Sequence, residues 1–209
     1  MLGKWAKQTV LLRESEPPEL SARDALLLAS VGVVERAGNP AVTLEEIASA
    51  AEVDIDVASA LFGSENDPHS VDDLLVEAAL RMCADDLRLD AIAKSTGAPT
   101  VSAYAHHFAA RRRFYRAMRH GPVAELLDAR MAEVMAPLIS VQIRTLVGRK
   151  LTDEVLAALT VEVTAESFDV TNRWIAESAD AEGAESLYVQ LEAIVLRRLE
   201  EARQLGEDS

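Results

Sequence analysis

The chain has 209 residues with 49% hydrophobic content and a formal net charge of −14 at pH 7. This length and composition predict a soluble globular protein with one substantial core, or one core and a small head domain packed onto it. The longest uncharged apolar stretches, such as residues 25–34, are too short to span a bilayer, and no hydrophobic signal-peptide region opens the chain, so we expect a cytoplasmic protein without membrane contact.

The first two elements are an N-terminal arm and a helix. Residues 1–20 include the polar stretch "ESEPPEL" and predict a loosely packed arm. Ser21 is a favourable N-cap, and the apolar residues that follow at helical spacing predict a helix over 21–37. The sequence "GNP" at 38–40 ends this helix.

Two short helices come next. Thr43 opens a helix that ends near Ala51, and Glu46 three residues after Thr43 completes a capping box. After a three-residue turn, a third helix is predicted over 54–61. A long helix followed by two short helices is the pattern of a helix-turn-helix unit, so residues 21–66 are predicted to form such a head.

The remaining chain, residues 67–209, predicts a larger helical body. A polar loop at 63–70 precedes a long helix at 71–93, in which Cys83 occupies an apolar position as a small buried residue. Further helices are predicted at 99–119, 122–148, 152–178 and 184–205. Because no run of alternating β-branched residues occurs, the predicted fold class is all-α.

The stretch "ARDALLLASVGVVERAGNPAVTLEEIASAAEVDIDVASALF" has a recognisable frame. An apolar helix, a glycine-containing stop, "VT" before "EIA", an "A-x-V" turn and a closing Phe62 follow one another. This frame resembles the TetR family of bacterial transcriptional regulators. The resemblance implies an all-α protein whose three-helix head binds DNA and whose larger helical body binds a ligand and dimerises, and the order of helices extends it loosely over the whole chain.

The resemblance also assigns DNA-contacting positions in the head. Carried over by position, they are Thr43, Asp54, Ile55, Val57 and Ser59. The chain departs from the family at the turn, where Glu52 stands at a position that usually holds glycine. It departs again after the third helix, where "GSENDPHSVDD" replaces the usual start with a phosphate-binding lysine.

The charge of the head is unusual for a DNA-binding unit. Residues 1–80 carry five basic and fifteen acidic side chains, and no Lys or Arg occurs between Arg36 and Arg81. Affinity for DNA comes largely from basic side chains that replace counterions, so this composition disfavours DNA. The acids also have a structural role, since those in the first turn of a helix favour its dipole. Basic residues of the N-terminal region, namely Lys4, Lys7, Arg13 and Arg23, could offset the repulsion.

A candidate ligand pocket lies in the body. Its predicted residues are Tyr104, His107, Phe108, Met118, Met131, Met135, Phe168 and Trp174. Apolar stripes at helical spacing are typical of an ordinary core, and that interpretation stays open. In a TetR-like body, however, the space between these helices holds small and often apolar molecules, and methionine side chains adapt to irregular shapes.

Polar residues of the body give no sign of metal binding or catalysis. His106 and His107 are adjacent and diverge on a helix, so they cannot chelate one ion together. Five arginines between 111 and 119 form a basic cluster, which predicts a solvated helix face paired with acids, or a site for an acidic ligand or for the protein's own acidic head. No nucleophile elbow, phosphate loop or metal-ligand spacing frames these residues, so we expect no enzyme, no metal and no cofactor.

The last two helices predict a homodimer. The interface residues expected from their apolar stripes are Leu156, Val163, Val170, Leu187, Leu191, Ile194 and Val195. One stripe could face the body and the other a partner copy. In the resembled family these two helices form a four-helix bundle with their copies, and twofold symmetry then places two heads on a palindromic site.

Together these features predict a TetR-like, ligand-responsive transcriptional regulator that acts as a repressor and binds DNA as a homodimer. Its ligand is expected to be a small apolar molecule. Two alternatives stay open. The acidic head could bind a basic protein partner instead of DNA, or the chain could be a small-molecule-binding dimer whose head is vestigial.

Overall fold

The computed structural model describes residues 20–63, 68–94, 101–147, 151–177 and 183–207. Within these ranges the backbone forms α-helices joined by turns and contains no strand, which confirms the all-α prediction. The helices are α1 (Ala22–Ala37), α2 (Leu44–Ala50), α3 (Ile55–Phe62), α4 (Pro68–Lys94), α5 (Val101–Ala110), α6 (Arg112–Met118), α7 (Val123–Val147), α8 (Asp153–Glu177) and α9 (Ala184–Glu207).

Both ends of α1 follow from its sequence. The Ser21 hydroxyl accepts a hydrogen bond from the Asp24 N–H at 3.1 Å, which is the predicted N-cap. Gly38 adopts a left-handed conformation with φ 69°, and its N–H donates to the Val34 carbonyl at 2.9 Å. Glycine takes up this conformation without steric cost, so it ends the helix.

Local capping also defines α2. The Thr43 hydroxyl accepts from the Glu46 N–H at 3.1 Å, and the Glu46 carboxylate accepts from the Thr43 N–H at 2.8 Å, so the predicted capping box is present. A helix of seven residues is too short to persist alone, and it is stabilised by packing on α1 through Leu44 and Ile47, which are fully buried.

Two predicted boundaries are wrong. The polar loop was expected to reach residue 70, but α4 already begins at Pro68, since proline fits the first helical position, where no N–H partner is needed. The helix predicted over 99–119 is two helices, α5 and α6, with a break at Arg111, where φ is −110° and ψ is 18°. No glycine or proline marks this break, and residues 95–100 lie outside the described part of the chain.

One continuous hydrophobic core joins the head and the body. α1 packs against α2, α3, α4 and α6, while α4 also contacts α3, α5 and α7. The body is completed by the pairs α7–α8, α8–α9 and α5–α9. A second, smaller cluster lies at the far end of the body around Ile143, Leu159 and Val163. α4 therefore contacts both the first helices, α1 and α3, and the later helices, α5 and α7.

Candidate functional site

The turn between α2 and α3 is short and closed by backbone hydrogen bonds. Glu52 takes a left-handed conformation with φ 55°, and the next N–H, that of Val53, donates to the Ala48 carbonyl at 3.0 Å. This bond closes the turn that separates α2 from α3. A left-handed backbone at a residue other than glycine lowers the stability of the fold by about 1 kcal/mol. The resembled family usually has glycine at this position.

The five head residues assigned to DNA contact lie on the outer surface or at its edge. Ile55 and Val57 are 37% and 43% exposed, Thr43 and Asp54 are exposed, and Ser59 is half-buried. Two of these side chains already serve the helices that they begin. The Thr43 hydroxyl belongs to the capping box, and the Asp54 carboxylate accepts from the Asp56 N–H at 2.8 Å.

This outer surface is acidic and apolar. We call it the head surface and define it by the exposed residues Thr43, Glu45, Glu46, Glu52, Asp54, Ile55, Asp56, Val57 and Leu61. Two described basic residues lie near it: Arg36 lines the same surface hollow as Glu45 and Glu46, whereas Arg23 pairs with Glu77 of α4 and lies over the Phe62 ring. Lys4, Lys7 and Arg13 lie outside the described residues.

Three arginines of the cluster at 111–119 make contacts within the chain. Arg119 donates two hydrogen bonds of 2.8 Å to the Asp128 carboxylate, and Arg116 donates to the Ile175 carbonyl at 3.0 Å. Arg112 is buried, with its guanidinium carbon 3.6 Å from the centre of the Trp174 ring. The predicted pairing with acids is therefore present for Arg119, but Arg112 is buried in the core and is not part of a solvated face.

A cavity lies between the helices of the body. Its lining residues are Leu87, Val101, Tyr104, Met135, Leu138, Ile139, Gln142, Ile143, Val163, Ser167, Leu191 and Val195. The hollow contains about 540 Å³ of space free of atoms, including the part open to solvent, but the centre of a water molecule can reach only about 40 Å³ of it. The inner space holds roughly three water molecules at the usual requirement per molecule.

The structure brings two of the eight predicted pocket residues, Tyr104 and Met135, into the cavity wall. The other six do not line it. They are His107, Phe108, Met118 and Met131, which are buried in the main core, Phe168, which is partly buried against that core, and Trp174, which stacks on Arg112. Trp174 also donates from Nε1 to the Ser186 hydroxyl at 2.7 Å, so its polar atom is satisfied away from the cavity.

Sequence reasoning missed most of the cavity wall. The sequence predicts a dimer interface for Val163, Leu191 and Val195, and it assigns Leu87, Gln142 and Ser167 to no site. The cavity forms where α4, α5, α7, α8 and α9 converge. Helical periodicity identifies the buried face of each helix, but it does not show where neighbouring faces fail to fill the space between them.

His107 is part of a buried polar network that joins α4, α5 and α6. Its Nδ1 lies 2.8 Å from the Asp86 carboxylate and its Nε2 lies 2.7 Å from the Tyr115 hydroxyl. A neutral imidazole that donates from Nδ1 and accepts at Nε2 satisfies both contacts. Burial lowers the pKa of His107 from its ordinary value of 6.5, and the hydrogen bond to Asp86 opposes this only in part.

The residues expected at a dimer interface pack inside the single chain. Six of the seven are buried there, namely Leu156, Val163, Leu187, Leu191, Ile194 and Val195, and Val170 is partly buried. Their side chains lie where α8 and α9 pack against each other, where α9 packs against α5 and where α8 packs against α7. These contacts leave the opposite side of α8 and α9 exposed in the single chain.

That opposite side carries exposed apolar residues. Val161 on α8 is 68% exposed, and Leu196 on α9 is 60% exposed. Helical spacing aligns Val161 with the exposed Ala158 and Ala165, and it aligns Leu196 with exposed Val189 and Ala193. We call these six residues the outer stripe.

The described residues contain neither a metal-binding cluster nor a helix suited to span a membrane. No group of three or more His, Cys, Asp and Glu side chains within them is arranged to hold a metal ion. None of the helices, as far as they are described, combines the length and hydrophobicity needed to cross a bilayer.

Comparison with known proteins gives no relative from which a function could be transferred. No protein-family model, no curated protein and no solved structure matches the chain.

Proposed function

We propose that the chain is a TetR-like, ligand-responsive transcriptional regulator that binds DNA as a homodimer and acts as a repressor. The observation that carries the proposal is the sharp turn at Glu52, which joins two short helices and leaves Ile55 and Val57 of α3 exposed. A protruding second helix of this kind is what a helix-turn-helix protein inserts into the major groove.

Contacts to DNA would come from groups other than basic side chains of the head surface. The N–H groups in the first turns of α2 and α3 and the hydroxyls of Thr43 and Ser59 can donate to phosphates. Ile55 and Val57 can contact thymine methyl groups. Since Arg23 is already paired with Glu77, the basic residues left to offset the five surface acids are Arg36, which lines a hollow with Glu45 and Glu46, and those of the N-terminal region.

Communication between ligand and head would run along α4. Leu87 of α4 lines the body cavity, and the N-terminal half of α4 contacts α1 and α3. A ligand that fits one position of α4 better than another shifts the population between two head arrangements. In a dimer this shift changes the distance between two heads, and thereby the affinity for two half-sites.

The partner copy would bind at the outer stripe. Isologous dimers need a self-complementary apolar surface that is exposed in the single chain, and the outer stripe of α8 and α9 meets this requirement. Some glutamates next to the outer stripe form ion pairs within the chain. Arg198, for example, pairs with Glu162 at 3.2 Å.

The test is fluorescence anisotropy of full-length protein with labelled DNA from upstream of its own gene and with a scrambled duplex, at two salt concentrations. We expect sequence-selective binding that weakens with salt. Val57→Glu should abolish it if α3 enters the groove. The matched control is Val141→Glu on α7, which is 49% exposed and should bind as the wild type does. Absence of binding to any duplex at low salt, by folded dimeric protein, would contradict the proposal.

A second function is favoured by one specific observation, the charge of the head surface. It combines five exposed acids with exposed Ile55, Val57 and Leu61, and no Lys or Arg occurs between Arg36 and Arg81. Such a surface suits a lysine-rich protein segment better than a polyanion. Salt-sensitive binding to a lysine-rich peptide, lost in the Glu45→Lys and Glu46→Lys variants, together with absence of DNA binding, would favour this function.

A further inference from the structure

An exposed apolar surface extends from α3 toward the start of α1. Val57 and Leu61 are one helical turn apart on α3, and they are 43% and 37% exposed. Leu61 also lines a surface hollow between α3, α4 and α7, which Arg23 bounds on the side of α1. The apolar residues of this hollow are Leu61, Phe62, Val76, Leu80 and Val134. We call Val57, Leu61 and the hollow the α3 face.

The α3 face carries a negative charge. Three acidic and two basic side chains line its hollow, and both arginines are paired with glutamates that also line it. Asp73 is the third acid of the hollow. Asp54 and Asp56 are exposed at the start of α3, next to Val57. An apolar surface with this charge is complementary to a segment that is both apolar and basic.

The first residues of the chain have this complementary composition. Residues 1–13, which lie outside the described part of the chain, contain three basic and no acidic side chains. Their apolar residues include Trp5 and the run "VLL" at 10–12. Tryptophan is one of the residue types that contribute most to binding at protein interfaces. Residues 14–19, "ESEPPE", carry three glutamates and separate the basic segment from α1.

The basic segment is long enough to reach the α3 face. Arg13 is seven residues before Leu20, and an extended chain spans about 3.5 Å per residue, so Arg13 can lie up to roughly 25 Å from Leu20. The eight residues of α3 span about 12 Å, and Phe62 at its end contacts Arg23. A segment tethered this closely has an effective concentration in the millimolar range, so a contact of modest affinity is populated.

We propose that residues 1–13 bind to the α3 face of the same chain. Trp5 and the apolar run at 10–12 lie against Val57 and the apolar side chains of the hollow, and the basic side chains lie beside the surrounding acids. This inference goes beyond the proposed function and does not depend on it, because the contact needs only these two parts of the chain. Bound residues 1–13 cover Val57, so any other partner of the head surface has to displace them.

Trp5 is the probe for this contact. The chain has two tryptophans, and Trp174 is buried with its ring stacked on Arg112. The emission of Trp5 in the full-length protein is the difference between the wild type and Trp5→Phe. Quenching is measured with acrylamide, which is uncharged, so nearby charges do not alter its access. We expect quenching at least about twofold weaker than in a peptide of residues 1–13, because the bound indole is shielded.

A change on the α3 face should remove the shielding. Val57→Lys replaces an apolar contact by a positive charge, so it should release residues 1–13 and raise the quenching of Trp5 to the level of the peptide. The matched control is Val155→Lys. Val57 and Val155 are each the third residue of their helix, and they are 43% and 41% exposed. Val155→Lys should therefore shield Trp5 as the wild type does.

Changes within the segment test the same contact without altering the described helices. Lys4→Glu combined with Lys7→Glu should expose Trp5, whereas Lys4→Arg combined with Lys7→Arg should keep it shielded. Quenching of the wild type at the level of the peptide would overturn the contact. Shielding that is unchanged in Val57→Lys or in the double glutamate variant would overturn its assignment to the α3 face. No DNA is present in these measurements, so their failure is distinguishable from failure of the proposed function.

Discussion

The guanidinium of Arg23 lies over the ring of Phe62, with its central carbon 4.6 Å from the ring centre. The same group pairs with Glu77, donating from Nε to the carboxylate at 2.8 Å. One cation of α1 therefore contacts the last residue of α3 and a carboxylate of α4. This arrangement fixes the end of α3 to α4, the helix that also contacts α5 and α7.

Removal of the Arg23 guanidinium should lower the stability of the fold. We expect Arg23→Ala to lower the free energy of unfolding by about 1 kcal/mol, combining a cation–π contact with an ion pair. The expected loss is small because the Arg23 and Glu77 side chains are 44% and 38% exposed, so solvent screens the ion pair. The measurement is urea unfolding. The control is Arg36→Ala at the other end of α1, and equal losses in the two variants would contradict the assignment.

Stability should also depend on the protonation of His107. Burial lowers the pKa of this imidazole in the folded chain, whereas in the unfolded chain it stays near 6.5. As the pH falls through 6.5, the unfolded chain takes up a proton that the folded chain excludes, so stability decreases toward acid. Between pH 7.5 and 5.5 we expect the free energy of unfolding to fall, by at most about 1.4 kcal/mol for each pH unit.

Urea unfolding at several pH values tests this prediction. His107→Gln should be less stable than the wild type but should lose most of the pH dependence. His106→Gln, which changes an exposed histidine, should retain it. Glu166, whose pKa is lowered by its hydrogen bond with Arg198, contributes only as the pH falls through and below 4.5, outside this window. An unchanged slope in His107→Gln would refute the role of His107.

The elements that sequence predicted well are those with local signals. Ser21, Thr43 and Gly38 terminate their helices by hydrogen bonds within a few residues, and these bonds are all present. The break at Arg111 has no local signal, because it arises from the packing of α5 and α6 around His107 and Tyr115. Stripes of apolar residues correctly marked the buried sides of α8 and α9, but they could not show that the chain's own helices cover those sides.

Glu52 offers a test of the turn. A left-handed conformation is strained for glutamate but not for glycine, although glycine also gains freedom in the unfolded chain. We expect Glu52→Gly to raise the free energy of unfolding by about 0.5 kcal/mol. Ser49→Gly, three residues earlier within α2, should lower it by a similar amount because its backbone is helical. A loss of stability in both variants would show that Glu52 is not strained in solution.

The outer stripe can be tested as a dimer interface independently of DNA. Val161 and Leu196 are largely exposed in the single chain, so a charge at either position should leave the fold intact. In a twofold dimer each change occurs twice and would bury a carboxylate against apolar side chains. We therefore expect Val161→Glu and Leu196→Glu to weaken dimerisation at least about 100-fold, as measured by sedimentation equilibrium. Val141→Glu on α7 should remain dimeric. A wild-type protein that is monomeric at every concentration would eliminate the outer stripe as a self-interface, and with it the symmetry that the binding of two half-sites requires.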